Sequence, residues 1–588
     1  MILHSLYKLY DRLAEDPIYE VAQPGYSPQK IAFNVVLKLD GSLFKIEDAR
    51  VKNDKGKSYA PSQIVLGEAK PPGAGINPCL LWDNMAYMLG FKPDDLKPER
   101  TKLSFEAFRD KHLALENELE NEEFSAICRF LENWLPDKAL EYTEQHPEIV
   151  ELTTGFGLFK IQGKPKPVNE NASILKWWDS QLSESDAGEQ GQCLITGDVT
   201  TIARLHPKIK SVAGAQSAGA SIVSFNAAAY ESYGKDQSFN APVSELAAFK
   251  YGTALNSLLS GPMSNKHRMR IGDTTCVFWT EKPSIVEDVF SFFAQNGSNA
   301  QDESVRVKLE TFLSSLRNGT NALEELGEDI TGNQFYLLGL APNAARLSIR
   351  FFFQSSIAAF IGNLRAHHRD IEIVREYDRV IGKRQPDPEY PAQWQILKET
   401  ARVSDEIPPL LGGSLMRSIL EKVNYPEGIY NAVLRRIRAD RKINYYRAAI
   451  LKGTLVRNHN QTIPIMLDTE NKNQAYLLGR LFATLEKTQG DALGDLNAGL
   501  RDKYYSSAST TPASVFPRVL RTYQHHLSKL KGGQKVNRDK LIQDIIAEFD
   551  SFPNFLNLKE QGQFAIGYYH QRKDFFTKKE TPSDNSDQ

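Results

Sequence analysis

The sequence is poor in cysteine and has no long apolar run. Its four cysteines, Cys79, Cys128, Cys193 and Cys276, stand far apart, without a CxxC pair or a histidine at metal-ligand spacing. We therefore expect reduced thiols, mostly in the core, and no zinc site. The chain has no uncharged apolar stretch of about 18 residues, so no membrane-spanning helix is expected. Its opening, MILHSLYKLYDRLAEDP, lacks a small-residue cleavage site, which favours a cytoplasmic protein.

Several catalytic and nucleotide-binding fingerprints are also missing. The chain has no GxxxxGK[ST] loop, no GxGxxG and no GxSxG nucleophile elbow. His206 and Ser217 suggest a hydrolase pair and Asp198 an acidic metal loop, but the neighbours that such chemistry needs are missing. No cluster of Asp, Glu or His is visible. We expect no cofactor, no metal and no catalytic activity. The alternative is a metal-dependent nuclease or hydrolase acting on nucleic acid.

The formal net charge of −2 hides a strong segregation of charge along the chain. Residues 111 to 151 hold eleven acids and three bases, whereas residues 401 to 465 hold eleven bases and five acids. The acidic run is most simply a solvated helix face. A nearly neutral protein that binds nucleic acid must gather its cations on one surface, and the basic segment permits this.

The order of predicted elements indicates the α+β class. Apolar periodicity predicts a helix at the start of the chain, two strands around an Asp40-Gly41 turn, a helix over residues 244 to 259 and a strand over residues 274 to 280. After about residue 404 the strand signals nearly vanish. The predicted parts are a large mixed α+β portion (1–403), a basic helical connector (404–465), an all-helical C-terminal bundle (466–575) and a disordered tail (576–588).

The most concentrated positive charge lies in NAVLRRIRADRKINYYRAA, residues 431 to 449. On a helical wheel Arg435, Arg438 and Lys442 fall on one stripe, with Val433 and Ile437 on a neighbouring apolar face. Such a helix can dock on a core and present cations to phosphates, and the tyrosines that follow are suited to stacking on bases. A solvated helix whose arginines pair with acids elsewhere explains the same pattern, and composition does not separate the two.

Two other stretches carry residues suited to ligand contact. KPPGAGINPCLLWDNMAYMLG, residues 70 to 90, places a proline and glycine loop before an apolar helix, with Asn77-Pro78 as the predicted helix entry. Its glycines allow close backbone approach, and Lys70 and Asn77 offer a cation and an amide. A structural turn is the alternative. Residues 204 to 244 are rich in small residues, amides and hydroxyls, which hold turns or contact base edges.

These stretches together resemble a known family. The similar blocks are MILHSLYKLYDRLAEDP, GINPCLLWDN, CLITGD...RLHPKIKSVAGAQSAGASIVSFN...SYG...NAPVS and NAVLRRIRADRKINYYRAAILKG. They resemble the large subunit of type I-C CRISPR surveillance complexes, the Cascade assemblies. The resemblance runs from the first residue to about residue 460 and continues more loosely beyond it.

The resemblance implies a non-catalytic subunit at one end of a guide-RNA complex. Such subunits recognise the protospacer-adjacent motif in duplex DNA, help to open the duplex, hold the displaced strand and dock a helicase-nuclease. The implied partners are CRISPR RNA, target double-stranded DNA and its displaced single strand, the Cascade backbone and RNA-processing subunits, a small subunit and the helicase-nuclease effector. The family also makes its small subunit from an internal start, for which Met466 is the candidate here. An ordinary core methionine is the alternative.

The resemblance also assigns candidate site residues. Those expected at the motif and the duplex are Lys70, Gly73, Gly75, Asn77, Lys208, Lys210, Gln216, Ser217, Ser224, Asn226 and Asn240. Asn77 is the leading candidate for a base contact. Those expected on nucleic-acid backbones are Arg435, Arg436, Arg438, Arg441, Lys442, Arg447, Arg480, Lys487, Arg518 and Arg521.

Overall fold

The structure is a computed structural model of the chain. It describes residues 1–52, 56–68, 70, 75–152, 155–184, 188–271, 273–295, 332–382, 384–389, 391–494 and 498–577. The chain divides into two compact units. The first unit comprises Met1–Ser211, Ala215–Met263 and Ala344–Arg346, and the second comprises Val212–Gly214, Ser264–Asn343 and Leu347–Gln588. Mixed sheets in the N-terminal part and helices in the C-terminal part confirm the predicted α+β class.

The first unit is built on a five-stranded sheet. Its strands and those of two small ribbons are β1 (Tyr26–Leu37), β2 (Leu43–Asp48), β3 (Val51–Lys52), β4 (Ser58–Tyr59), β5 (Ser62–Leu66), β6 (Trp82–Asn84), β7 (Phe156–Ile161), β8 (Gln190–Gln192) and β9 (Val199–Thr201). The long strand β1 pairs antiparallel with β2 and β5 and parallel with β7, and β7 pairs antiparallel with β6. The predicted turn at Asp40-Gly41 is confirmed, because Gly41 has a φ of 88° between β1 and β2.

The α-helices of this unit are Ile2–Glu15, Met85–Met88, Pro98–Leu115, Glu122–Asn133, Pro136–Gln145, Ala172–Glu184 and Glu245–Ser260. The first and the last of these pack against each other, with the ring centroids of Tyr10 and Phe249 5.8 Å apart. The other five contribute side chains to the core of the sheet. The core between sheet and helices contains Phe33, Phe108, Phe124 and Phe159, all fully or almost fully buried. The predicted helix over residues 244 to 259 is confirmed, and the Ser244 hydroxyl caps it by accepting a hydrogen bond from the backbone N–H of Ala247 (3.1 Å).

The predicted helix entry at Asn77-Pro78 is wrong. The apolar residues that follow it first form β6, in which Trp82 pairs with Leu158 of β7. The helix begins only at Met85, where Asn84 Oδ1 accepts a hydrogen bond from the backbone N–H of Ala86 (3.0 Å). Pairing with a distant strand therefore overrides the local helix signal.

The second unit combines a four-stranded meander with the helical C-terminal part. Its strands are β10 (Arg268–Ile271), β11 (Thr274–Thr280), β12 (Gln334–Asn343) and β13 (Arg346–Ser356), in that spatial order. The predicted strand over residues 274 to 280 is confirmed. Strand β13 is followed directly by a helix, which starts where the Ser356 hydroxyl accepts a hydrogen bond from the backbone N–H of Ala359 (3.2 Å).

The α-helices of the second unit are Ser264–His267, Val286–Gln295, Ile357–Ile371, Gln393–Lys398, Pro409–Glu421, Glu427–Asp440, Tyr445–His459, Gln474–Leu493, Leu500–Ala508, Pro512–Lys529, Gly532–Ile546 and Leu558–Asp574. One apolar core runs through the sheet and these helices. No helix of the described residues is long and apolar enough to cross a membrane.

Two helices of this unit cross so closely that only glycine fits between them. A Cβ on Gly479 would stand 2.0 Å from the carbonyl oxygen of Phe564, and a Cβ on Gly567 would stand 2.1 Å from that of Tyr476. Both distances are far below van der Waals contact. The helices Gln474–Leu493 and Leu558–Asp574 are therefore fixed against each other through backbone contact.

Met466 lies between the helices Tyr445–His459 and Gln474–Leu493, and 64% of its surface is exposed. It is therefore not a core methionine, and its use as an internal start stays a prediction. The domain boundaries at residues 403, 465 and 575 also stay predictions. Gly73 and most of the predicted tail, residues 578–588, lie outside the described residues.

Candidate nucleic-acid interface

The loop that precedes β6 in the first unit is fixed at its base by an ion pair between the partly buried Lys70 and the buried Asp83. Lys70 Nζ lies 2.6 and 2.7 Å from the two carboxylate oxygens of Asp83, and 3.2 Å from the ring centroid of Tyr87. Asp83 is fully buried and also accepts hydrogen bonds from the backbone N–H groups of Cys79 (3.1 Å) and Asn84 (2.8 Å). Burial raises the pKa of the Asp83 carboxyl. The Lys70 ammonium is thus paired within the protein, and its side chain is only partly exposed.

The helix Pro98–Leu115 holds the other side of this loop. The contacts are Arg100 Nη2 to Gly75 O (3.3 Å), Lys111 Nζ to Pro78 O (2.9 Å) and Leu81 N to His112 Nε2 (3.0 Å). Because Nε2 of His112 accepts a hydrogen bond, its Nδ1 carries the proton and donates to the carbonyl of Phe108 (2.7 Å). Burial lowers the pKa of His112 to about 4, so the ring stays neutral at pH 7.

Asn77 is presented from this clamped loop. Its backbone N–H donates to the Tyr87 hydroxyl (3.2 Å), while its side chain is exposed and forms no hydrogen bond with a described residue. A fixed backbone with an open amide is the arrangement that base-edge recognition requires. Among the other residues predicted here, Gly75 belongs to the loop and Lys70 points to Asp83.

The loop after β9 carries a second group of predicted residues. Ile209 and Ala220 pair by two backbone hydrogen bonds of 2.9 Å. The Asn256 side chain braces one arm, because it accepts from Lys210 N (2.8 Å) and donates to Lys208 O (3.0 Å). The exposed predicted side chains on this loop are those of Lys208, Lys210, Gln216 and Ser217. The predicted residue Ser224, farther along, is partly buried.

Asn226 is paired with an arginine that the sequence reasoning missed. Arg346 Nη2 donates to Asn226 Oδ1 at 2.5 Å, and the guanidinium carbon lies 4.4 Å from the ring centroid of Tyr230. The stacked guanidinium is held in place with further N–H groups that can meet a base edge or a phosphate. Asn226 and Arg346 are 120 positions apart in the chain, so local sequence reasoning could not find this cluster.

Asn240 has its amide committed to the loop that contains it. Its Oδ1 accepts from the backbone N–H of Ser232 (2.8 Å), and its Nδ2 donates to the carbonyls of Lys235 (2.6 Å) and Gln237 (3.0 Å). Of the two roles considered for this residue, base contact and loop architecture, the geometry fits loop architecture.

The helix in the basic stretch of the second unit ends earlier than the helical wheel predicted. The helix Glu427–Asp440 buries Val433 and Ile437, as predicted. It stops at Asp440, and Arg441 follows in the left-handed conformation with a φ of 54°. Lys442 therefore lies beyond the helix, so its predicted place on one helical stripe is wrong. The cations without an ion pair to a described residue are Arg435, Arg438, Arg441 and Lys442.

Two other arginines of this stretch pair within the protein. Asp440 Oδ2 lies 2.5 Å from Arg436 Nη2 and 2.8 Å from Arg447 Nη2. Arg447 is buried and also donates to Glu399 Oε2 (2.6 Å) and to the carbonyl of Lys442 (2.8 Å). Arg436 and Arg447 thus fit the explanation in which the arginines pair with acids of the protein, and the role of the unpaired cations stays a prediction.

The predicted cations of the C-terminal helices divide in the same way. Arg480 is buried against Gln571 Oε1 (3.1 Å), and this burial lowers its pKa. Lys487 pairs with Asp491 at 2.6 Å. Arg518 and Arg521 are exposed on the helix Pro512–Lys529 and have no ion pair to a described residue.

The hydrolase pair considered for the first unit does not form. His206 is buried, and its Nδ1 lies 2.6 Å from the hydroxyl of Tyr251, whereas Ser217 is exposed on its loop. In the described part of the chain no three side chains of His, Cys, Asp or Glu converge as a metal site would need.

The fold and the candidate site define an α+β protein that presents open amides and unpaired cations on braced loops and helices. A family model described as CRISPR-associated protein (Cas_Csd1) matches residues 6–576. The chain therefore belongs to this family of CRISPR-associated proteins, in agreement with the resemblance to type I-C Cascade large subunits. Membership implies assembly with other CRISPR-associated proteins and CRISPR RNA. No curated protein matches the chain.

Proposed function

We propose that this chain is the non-catalytic large subunit of a type I-C Cascade complex in the cytoplasm. In this role it recognises the protospacer-adjacent motif in duplex DNA, helps to open the duplex, stabilises the R-loop and recruits a helicase-nuclease. The observation that carries the proposal is the open Asn77 amide on a loop clamped by Asp83 and His112, in a chain of this family. Metal-dependent cutting of DNA by the purified chain would instead support the nuclease alternative.

The two kinds of candidate residue suit the two tasks of such a subunit. Sequence is discriminated by amides and cations that reach base edges, and these need a fixed backbone. The backbone of a strand is held by cations without a partner in the protein, which contribute equally on every sequence. We assign Asn77 to the first task and the open cations Arg435, Arg438, Arg518 and Arg521 to the second. The paired residues Lys70, Arg447, Arg480 and Lys487 stabilise the fold.

Asn77→Ala is expected to weaken binding to a target with the correct motif by about 1 to 3 kcal/mol, because one base contact is lost. Targets with wrong motifs should bind almost as before, so discrimination between motifs falls. The measurement is equilibrium binding of the guide-loaded assembly to duplexes that differ only in the motif. Gln145→Ala, at an exposed amide outside the loop, is the matched control. Equal loss on all motifs would contradict the role of Asn77.

Arg435→Ala is expected to weaken binding on all sequences and to reduce the slope of log K against log salt by about one unit, because one phosphate contact is lost. The neighbouring Arg436→Ala is the control, since its guanidinium is already paired with Asp440. It should change the slope much less. The measurement is binding of the guide-loaded assembly to target DNA over a series of salt concentrations. If Arg435→Ala reduces the slope of log K against log salt no more than Arg436→Ala does, Arg435 lies on a solvated helix face and contacts no phosphate.

A further inference from the structure

A single tyrosine stands fully exposed at the tip of a tight turn in the first unit. Tyr233 has 99% of its surface accessible. Ser232 and Lys235 pair on either side of the turn, with Lys235 N donating to Ser232 O (3.1 Å). Tyr233 and Gly234 both have positive φ, at 55° and 68°. This is the pattern of a type I′ turn, the narrowest connection between two paired strands.

Tyrosine is an unfavourable choice for this conformation. The first central position of such a turn favours Asn, Asp or Gly, because other side chains crowd the backbone at positive φ. A strained residue persists when its surroundings determine the backbone, and such residues concentrate at functional sites. Here the Asn240 amide fixes both arms of the turn, and Glu231 Oε1 accepts a hydrogen bond from Gln237 N (3.3 Å). The backbone of the tip is thus fixed, and it presents an aromatic ring to solvent.

We propose that Tyr233 stacks on an unpaired nucleobase of the target DNA beside the recognised motif. This inference rests on the proposed function. The ring has two open faces, since its neighbours Ser232, Gly234 and Lys235 are small or polar and exposed. A protein hot spot is normally surrounded by a rim of contacts that excludes water, and a two-residue tip does not supply one. Every base has a π face, so one ring can stack on any sequence.

The charges around the tip favour stacking over phosphate binding. Lys235 is followed by Asp236, and Glu231 lies on the opposite arm, so the turn carries no net positive charge. The contribution of Tyr233 to binding should therefore be nearly independent of salt, in contrast to that of Arg435.

The test is a double-mutant cycle between Tyr233 and the DNA, made with the guide-loaded assembly. Tyr233→Asn places a residue favoured in this turn at the tip, so the temperature of thermal unfolding should be unchanged or slightly higher. We expect it to weaken binding about 5- to 100-fold, with an unchanged salt slope, whereas Tyr233→Phe keeps the ring and should bind nearly as the natural protein. Each nucleotide beside the motif is then replaced in turn by an abasic site. At the contacted position Tyr233→Asn should have no further effect.

The inference is overturned if the assembly with Tyr233→Asn binds the target as tightly as the natural assembly. It is also overturned if this substitution lowers the affinity by the same factor on every abasic target. The second outcome, or loss of the subunit from the assembly, would place Tyr233 against a partner protein. The motif dependence of the unsubstituted assembly on the same duplexes separates the two proposals. If that dependence is present but no abasic position cancels the effect, stacking fails and the proposed function stands. If it is absent, the proposed function fails.

Discussion

Gly479→Ala is expected to destabilise the second unit by about 3 kcal/mol, because the new methyl group has no space. Its Cβ would lie 2.0 Å from the Phe564 carbonyl oxygen and 2.7 Å from the Tyr568 backbone nitrogen. Both neighbours are backbone atoms of the helix Leu558–Asp574, so no side-chain rotation relieves the contact. The two helices must separate, which opens the apolar core between them. Chemical denaturation of the purified chain measures the change in the free energy of unfolding.

Gly490→Ala on the same helix is the matched control. Nothing lies within 4 Å of the Cβ that it would add, and Gly490 is exposed. Alanine has the higher helix propensity, so this variant should be more stable by about 0.5 to 1 kcal/mol. Opposite signs for the two substitutions would confirm the close crossing of the helices. Equal effects would contradict it.

Asp83→Ala is expected to cost about 3 to 5 kcal/mol of stability, as removal of one partner from a buried ion pair does. It leaves the Lys70 ammonium without its carboxylate and the backbone N–H groups of Cys79 and Asn84 without an acceptor. The loop that presents Asn77 loses its anchor, so motif discrimination should fall together with stability. Denaturation of the purified chain gives the first quantity, and binding of the guide-loaded assembly to duplexes with different motifs gives the second.

Two variants make this test specific. Asp48→Ala removes the exposed partner of Arg50 and should cost at most about 1 kcal/mol. The double variant Lys70→Met with Asp83→Asn removes both charges and should recover part of the stability lost in Asp83→Ala, because no unpaired buried charge remains. If Asp83→Ala is no more costly than Asp48→Ala, the buried pair is not the anchor of the loop.

Secondary-structure elements whose formation depends mainly on their own residues could be predicted from the sequence. The first helix, the Asp40-Gly41 turn, the helix Glu245–Ser260 and the strand β11 all follow from local periodicity and turn chemistry. The Asn77-Pro78 helix entry could not, because β6 forms only by pairing with β7, whose Leu158 lies far along the chain. Local propensity does not contain that pairing.

The same division holds for the candidate site. The exposure of the Asn77 side chain to solvent agrees with its predicted place in a glycine loop. The ion pairs of these cations could not be predicted from the sequence. Lys70 pairs with Asp83, and Arg447 pairs with Glu399, only in the folded chain. Charge density alone does not tell an open arginine from one that holds the fold, because both have the same local neighbours.

The most direct test of the central claim compares two duplexes that share the guide-complementary sequence and differ only in the flanking motif. Equilibrium binding of the guide-loaded assembly is measured on each at one salt concentration. The account predicts binding that is tighter by about tenfold or more on the duplex with the correct motif, and loss of this preference in Asn77→Ala. Equal affinity for both duplexes would contradict motif recognition by this protein.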